Sequence, residues 1–162
     1  MKDQKTLERI QLMHPKLRAE VATIYDEICG ALRGKAFCRF AYTLRTFKEQ
    51  DDLYAIGRTK PGAKVTNAKG GYSFHNYGLA LDIVLIDGAS ASWDVKKDFD
   101  GDGKADWMEV VAIFKKYGWE WGGDWVKFPD APHFQKAFGK KIPDLLALKN
   151  AKKTDPQGYV IL

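Results

Sequence analysis

Residues 73–86, SFHNYGLALDIVLI, hold the stretch around which the rest of the chain is arranged. From Ala80 to Ile86 the residues fit one strand, in which successive side chains point to opposite faces. Both faces are apolar apart from Asp82, a pattern typical of a strand with neighbours on both sides. The sequence therefore predicts a central strand that carries a buried carboxylate.

Asp82 needs a cation in such a position, because a buried carboxylate is strongly unfavourable unless it is paired or binds a metal. A structural ion pair with lysine or arginine is one solution. His75, seven residues upstream, indicates another, since imidazole and carboxylate are both zinc ligands. His133 completes a set of three protein ligands, which leaves a fourth position for water, as in catalytic zinc sites. The remaining histidine, His14, is expected in a turn or at the surface.

Two further residues have side chains suited to a hydrolytic zinc site. Asp130 lies three residues before His133 in a segment bracketed by prolines, and a carboxylate there is placed to accept a proton from water. Arg45 lies between a predicted strand, 36–44, and a helix whose start is indicated by the capping box of Thr46 and Glu49. From the residues alone, a ligand-binding role and an ordinary surface position for Arg45 are about equally supported.

A second candidate metal site lies in residues 98–109. This segment matches the twelve-residue calcium loop, which has glycine at its sixth position and oxygen ligands at the first, third, fifth, seventh, ninth and twelfth. Those ligand positions fall on Asp98, Asp100, Asp102, Lys104 through its carbonyl, Asp106 and Glu109. The match departs from the template at Ala105, and no convincing helix precedes the loop. A solvated acidic turn that caps the helix 107–117 is the alternative.

The composition favours one globular domain spanning residues 1–162, since 45% of the residues are hydrophobic. The net charge of +5 favours anionic partners, but no groove-reading or base-stacking motif indicates nucleic acid. The polar start predicts neither a secretory signal nor a transmembrane segment. Cys29 and Cys38 are expected to be reduced core residues.

Three motifs occur in order along the chain: Tyr42-Thr43-Leu44-Arg45-Thr46 with Glu49 and Gln50, Ser73-x-His75-x-x-Gly78-x-Ala80-x-Asp82, and Trp121-Gly122-Gly123-Asp124-Trp125 followed by Asp130-x-x-His133-Phe134. Together they resemble the L-alanyl-D-glutamate endopeptidases among phage endolysins. These are zinc peptidases related to the D-Ala-D-Ala carboxypeptidases and the hedgehog signalling domain. The resemblance extends over roughly residues 10–138.

The resemblance implies an α+β fold, a small antiparallel sheet with helices packed around it, as in hedgehog domains and D-Ala-D-Ala peptidases. It implies that His75, Asp82 and His133 bind zinc and that Asp130 is the catalytic base, at a position where many relatives have glutamate. It also implies that substrate contacts come from Arg45, which assists catalysis as well, and from Gln50, Ser73 and Trp125.

The expected function is zinc-dependent hydrolysis of the L-Ala-D-Glu bond in peptidoglycan stem peptides by a monomeric phage endolysin. The resemblance also implies synthesis in the host cytoplasm and access to the wall after membrane permeabilisation, without a separate wall-binding domain. A D-Ala-D-Ala carboxypeptidase is the nearest alternative. A non-catalytic module that binds zinc and calcium is the alternative from another class of protein.

Overall fold

The computed structural model describes residues 2–162, which form five α-helices and five short β-strands. The helices are α1 (Gln4–Ile10), α2 (Pro15–Ala31), α3 (Phe47–Ala55), α4 (Asp106–Lys116) and α5 (Ile142–Asn150). The strands are β1 (Ala36–Tyr42), β2 (Ala80–Asp87), β3 (Ser90–Ser92), β4 (Glu120–Trp121) and β5 (His133–Gln135). None of these helices is both long enough and apolar enough to cross a lipid bilayer.

The strands form one antiparallel sheet in the order β1-β2-β5-β4, with β3 paired to the end of β2. β2 therefore has neighbours on both sides, which confirms the central strand expected from its two apolar faces. The register places Asp82 opposite Tyr42 on β1 and opposite His133 on β5. The pairing of β2 with β5 thus brings together Asp82 and His133, which are 51 positions apart in the sequence.

The core lies between the sheet and the helices α1, α2 and α4. The predicted face of α2 is buried through Leu17, Val21, Ile24 and Ile28. From α4, Phe114 stacks on Phe134 of β5 with ring centroids 4.3 Å apart. The architecture is the predicted α+β fold, with a small antiparallel sheet and helices packed against it.

His14 differs from its prediction because it is buried, with only 5% of its surface exposed. It does lie in a turn, where its Nδ1 accepts a hydrogen bond from the backbone N–H of Lys16 and caps α2. Its Nε2 lies 2.7 Å from the carbonyl oxygen of Val160. The C-terminal segment therefore covers a histidine that would otherwise face water, and the predicted surface position is wrong.

Candidate active site

His75, Asp82 and His133 converge on one point at the edge of the core. Nε2 of His75 and Nδ1 of His133 each lie 3.2 Å from Oδ1 of Asp82. Asp82 comes from β2 and His133 from β5, whereas His75 lies in a single 3₁₀ turn, Phe74–Tyr77. The structure thus assembles the three residues predicted as metal ligands, and one donor atom from each lies within 4.8 Å of the others.

The turn that carries His75 is shaped by the other residues of its motif. Ser73 caps the turn, since its Oγ accepts a hydrogen bond from the His75 N–H and its own N–H donates to the Asn76 side chain. Gly78 ends the turn with φ of +69°. A Cβ atom at Gly78 would lie 2.6 Å from the backbone nitrogen of His14, so the close approach of these two segments requires glycine.

The second nitrogen of each histidine ring has its own hydrogen-bond acceptor. Nδ1 of His75 donates to the carbonyl of Thr43, 2.9 Å away, and Nε2 of His133 donates to Oε1 of Gln135, 2.8 Å away. These contacts fix both rings, the arrangement usual around protein-bound metals. Nε2 of His75 and Nδ1 of His133 point at Asp82, where each donates a hydrogen bond when its ring is protonated and can bind a metal when it is not. Neither acceptor was predicted from the sequence. Gln135 was detectable, because residues two apart on a strand share a face.

The electrostatics of the cluster keep Asp82 ionised. Burial alone would raise the pKa of Asp82, but hydrogen bonds from His133 and His75 outweigh it and hold that pKa well below its usual range. Burial acts against protonation of His133, yet its bond to Asp82 raises the pKa of the imidazole. The Asp82 side chain is 21% exposed, less buried than predicted.

The donor set fits a zinc ion. Bonds of about 2.0–2.2 Å to a tetrahedral zinc place neighbouring donor atoms about 3.3 Å apart, close to the 3.2 Å that separates each histidine nitrogen from the Asp82 oxygen. Two imidazoles and one carboxylate are also a ligand combination found in catalytic zinc sites. His75, Asp82 and His133 would hold the ion, as expected from their residue types.

The three candidate ligands line a cavity of about 670 Å³. Arg45, Ser73, Trp125 and Asp130 line the same cavity. The rest of its wall comes from the end of β1, from α3 and from the loop after α3, through Tyr42, Leu44, Glu49, Asp52, Leu53, Ile56, Lys60, Val65 and Thr66. The capping box of Thr46 and Glu49 predicted α3, but nothing in the sequence indicated that α3 forms part of the cavity wall. The cavity therefore combines a candidate metal centre with room for an extended ligand.

Asp130 is held beside His133 by the backbone. Its N–H donates to the carbonyl of Gly122 over 2.8 Å, and its own carbonyl accepts from the His133 N–H over 3.1 Å. A Cβ at Gly122 would lie 2.4 Å from the Asp130 carbonyl oxygen, which explains why this tryptophan-flanked segment needs glycine. Burial and the nearby Asp82 carboxylate raise the pKa of Asp130. Asp130 thus places a carboxyl group with a raised pKa in the cavity that the three candidate ligands line.

Gln50 is placed differently from its prediction as a substrate contact. It is fully buried and does not line the cavity. Its Oε1 accepts a hydrogen bond of 3.0 Å from Nη1 of Arg45, and its Nε2 donates to the carbonyl of Ala68. Because its polar atoms are already paired inside the protein, Gln50 orients Arg45 rather than reaching a ligand. Arg45 itself reaches the cavity, with its guanidinium 5.4 Å from the Tyr42 ring centre.

Trp125 lies against the candidate metal centre, with its ring 5.3 Å from that of His133. It is partly exposed and lines the cavity, unlike Trp119, which is buried in the core. Trp119 therefore belongs to the core and Trp125 to the cavity. The Trp125 ring offers a ligand an aromatic surface next to His133.

The residues predicted to bind calcium lie outside this cavity, in the loop before α4 and in the first turn of α4. Carboxylate oxygens of Asp98, Asp100 and Asp106 lie within 4.8 Å of one another, as do those of Asp100, Asp102 and Glu109. The structure thus gathers the five acidic residues into one loop that is separate from the histidine site.

Comparison with known proteins agrees with these observations. Residues 66–136 match a family model described as D-alanyl-D-alanine carboxypeptidase. The peptidoglycan L-alanyl-D-glutamate endopeptidase CwlK of Bacillus subtilis is 57% identical over 93 residues, which cover 56% of this chain and 55% of that protein. The L-alanyl-D-glutamate peptidase of Listeria phage A118 is 40% identical over 63 residues, or 39% of this chain and 20% of that protein. The chain thus spans about half the length, or less, of these relatives.

Two solved structures share the fold. The L-Ala D-Glu endopeptidase ChiX of Serratia marcescens superposes with a TM-score of 0.55 at 22% identity, covering 83% of this chain and 88% of that one. The LD-carboxypeptidase LdcB gives a TM-score of 0.50 at 20% identity, covering 83% of this chain and 71% of that one. The matched segment 66–136 contains all three candidate zinc ligands and Asp130. Residues 66–136 are therefore similar to a D-alanyl-D-alanine carboxypeptidase family model, and part of the chain is similar in sequence to two L-alanyl-D-glutamate peptidases.

Proposed function

We propose that this chain is a zinc-dependent peptidase that hydrolyses the L-Ala-D-Glu bond of peptidoglycan stem peptides. The observation that carries the proposal is the presence of His75, Asp82 and His133 in one cavity with Asp130 and Arg45. The names of the Bacillus and Listeria phage relatives support the choice of bond.

Zinc at the three ligands would supply Lewis acidity and a bound water with a pKa lowered to about 7. Asp130 would accept a proton at its carboxylate and return it to the leaving amine. Its raised pKa suits both steps, because a base with very low proton affinity transfers protons poorly. The hydrogen bonds from His75 to Thr43 and from His133 to Gln135 would keep both rings in place during turnover.

Substrate would be held by the charged and aromatic groups of the cavity. The Arg45 guanidinium, oriented by Gln50, offers a planar pair of donors to a peptide carboxylate such as that of D-Glu. Trp125 offers an apolar face beside His133, and Ser73 lines the same cavity. The net charge of +5 favours approach to an anionic wall polymer.

A D-Ala-D-Ala carboxypeptidase is the second candidate, because the matching family model carries that description. The two activities use the same chemistry and differ in the end of the stem peptide that enters the cavity. Mass spectrometry of purified peptidoglycan digested with the zinc-loaded protein separates them. We expect new N-terminal D-Glu products, whereas free D-Ala with intact L-Ala-D-Glu bonds would reject our choice.

Asp130 distinguishes a peptidase from a module that only binds metal. We expect Asp130→Ala to retain zinc and to lose activity by about 10²- to 10⁴-fold, the usual contribution of a general base. The measurements are zinc content and the rate of peptide release. Asp124→Asn is the matched control, because Asp124 is an exposed acid six residues away that does not line the cavity. Full activity in Asp130→Ala would reject Asp130 as the base, and an inactive wild type would favour the binding module.

A lytic role is the more specific form of this proposal. The relative from a Listeria phage supports an endolysin that reaches the wall after membrane permeabilisation, and the Bacillus relative supports a bacterial wall enzyme. Peptidoglycan is the proposed partner in either case. A single catalytic domain acting as a monomer remains our expectation, which light scattering of the purified protein tests.

A further inference from the structure

The acidic loop 98–109 is folded around its own carboxylates. Asp98 accepts hydrogen bonds from the backbone N–H groups of Gly101 and Gly103 at 2.7 and 2.9 Å. Asp102 accepts from the N–H of Lys104 at 2.8 Å. Gly103 has φ of +87°, so the sharp turn that calcium loops place at their sixth position is present.

Two carboxylate oxygens in this loop are buried without a partner, Oδ2 of Asp106 and Oε2 of Glu109. Asp106 is fully buried, and only its other oxygen has a partner, the N–H of Phe99 at 2.8 Å. Asp106 faces Asp98 and Asp100, and Glu109 faces Asp100 and Asp102, with oxygens within 4.8 Å. A buried carboxylate oxygen without a partner is strongly unfavourable. The two unpaired oxygens therefore indicate that a ligand binds beside these side chains.

The described residues supply no cation to this cluster. Across residues 2–162, no lysine, arginine or histidine nitrogen lies within ion-pair distance of the five loop carboxylates. The chain as a whole has an excess of positive charge, so this absence is not explained by a shortage of basic residues. Burial and the neighbouring carboxylates raise the pKa of Asp106 and that of Glu109, the latter to about 7. Five carboxyl groups gathered in one segment therefore favour a positive ion from outside.

We propose that residues 98–109 bind one calcium ion through Asp98, Asp100, Asp102, the Lys104 carbonyl, Asp106 and Glu109. The donors are all oxygen and there are enough of them for the six to eight ligands that calcium takes, whereas zinc and copper favour nitrogen and sulfur. Magnesium is less suited, since it keeps several waters and seldom occupies a cage made entirely of protein groups.

The ion would connect two elements of the fold. Oδ2 of Asp100 accepts a hydrogen bond of 3.1 Å from the backbone N–H of Arg33, in the turn after α2. Asp106 and Glu109 belong to the first turn of α4. Calcium would therefore link the α2–β1 connection to the start of α4, at a distance from the cavity of the histidine site.

Thermal unfolding of the zinc-loaded protein, freed of other divalent ions, tests the proposal. At one hundred times its Kd, calcium should raise Tm by about 5–10 °C, and magnesium at the same concentration should raise it less. Glu109→Gln should lose the calcium-induced shift and bind calcium at least about tenfold more weakly in calorimetry, since it removes the bidentate ligand. Without calcium, this variant should be at least as stable as wild type, because it removes one of five mutually repelling charges.

Asp94→Asn is the matched control, since Asp94 is exposed, lies just before the loop and belongs to neither acidic group. It should keep the full calcium shift. No shift in the wild type at about 10 mM calcium, above the weakest affinities of such loops, would overturn the proposal. An equal shift in wild type and Glu109→Gln would also overturn it, because the ion would then lie elsewhere.

Discussion

Asp82 shows how a single side chain connects the core to the site. It lies on a strand with apolar faces, and its Oδ1 is 3.2 Å from a nitrogen of each of two histidines. The histidines are in turn held by Thr43 and Gln135. The three candidate ligands are thus held in place by the protein itself, so a bound metal would need little of its binding energy to order them.

Gln135→Ala tests this arrangement at the scale of one hydrogen bond. Removing the acceptor of the His133 Nε2–H should weaken zinc binding about 10- to 100-fold, which competition with a zinc indicator measures. Gln157→Ala, at an exposed glutamine near the C-terminus, should leave the affinity unchanged. Equal zinc affinity in Gln135→Ala and wild type would show that Gln135 does not orient His133.

At the scale of elements, α1 is attached to β1 through Asp3. The Asp3 carboxylate caps α1 by accepting hydrogen bonds from the backbone N–H and the hydroxyl of Thr6. It also accepts hydrogen bonds from Nε and Nη2 of Arg39 on β1. The side chain of Asp3 is only 7% exposed. Arg39 is the main cause of a lowered pKa for Asp3, opposed by burial and assisted by Thr6. One residue therefore stabilises a helix start and its attachment to the sheet.

Asp3→Asn should lower the free energy of unfolding at pH 7 by about 1.5–3 kcal/mol, the range for hydrogen bonds to a charged group. The folded pKa of Asp3 lies below its ordinary 3.8. Its contribution is therefore complete above pH 3.8 and disappears as the pH falls through the folded value. Urea unfolding at several pH values should show wild type and variant converging at low pH. A constant difference down to about pH 2 would contradict the assignment, and Asp26→Asn, in an exposed ion pair, should have little effect.

At the scale of the whole molecule, the candidate metal site lies beside the core but does not replace it. The buried cluster runs from α1 and α2 through β1, β2 and β5 to α4, with the Phe114 ring next to those of both Phe40 and Phe134. The candidate zinc ligands lie at its edge, where β2 and β5 meet the turn that carries His75. The fold should therefore form without metal, while zinc adds stability by binding only the folded state.

Removing zinc should abolish peptide release but leave the far-ultraviolet circular dichroism at 25 °C nearly unchanged. Relative to protein with zinc at one hundred times its Kd, Tm should fall by about 5–10 °C. Readdition of zinc should restore both properties. An unfolded spectrum after chelation would instead mean that the metal is required for folding, as in small zinc domains.

The sequence alone determined features that depend on neighbouring residues. The buried face of α2, the capping box of Thr46 and Glu49, and the two apolar faces of β2 were all readable from spacing. The α+β fold was predicted as well, and so were the three residues that converge as candidate metal ligands. The helix face, the capping box and the strand are signalled by periodicity or by a short motif, which local backbone geometry imposes, whereas the α+β fold was implied by the resemblance to a known family.

Only the tertiary structure decided which distant groups meet. The antiparallel register of β2 and β5 brings His133 to Asp82 across 51 positions of sequence. The same packing buries Gln50 behind Arg45, places the Thr43 carbonyl at His75 and covers His14 with the C-terminal segment. The physical reason is that strand register and side-chain burial are settled by the packing of the whole core, whereas a motif specifies only its own turn or strand.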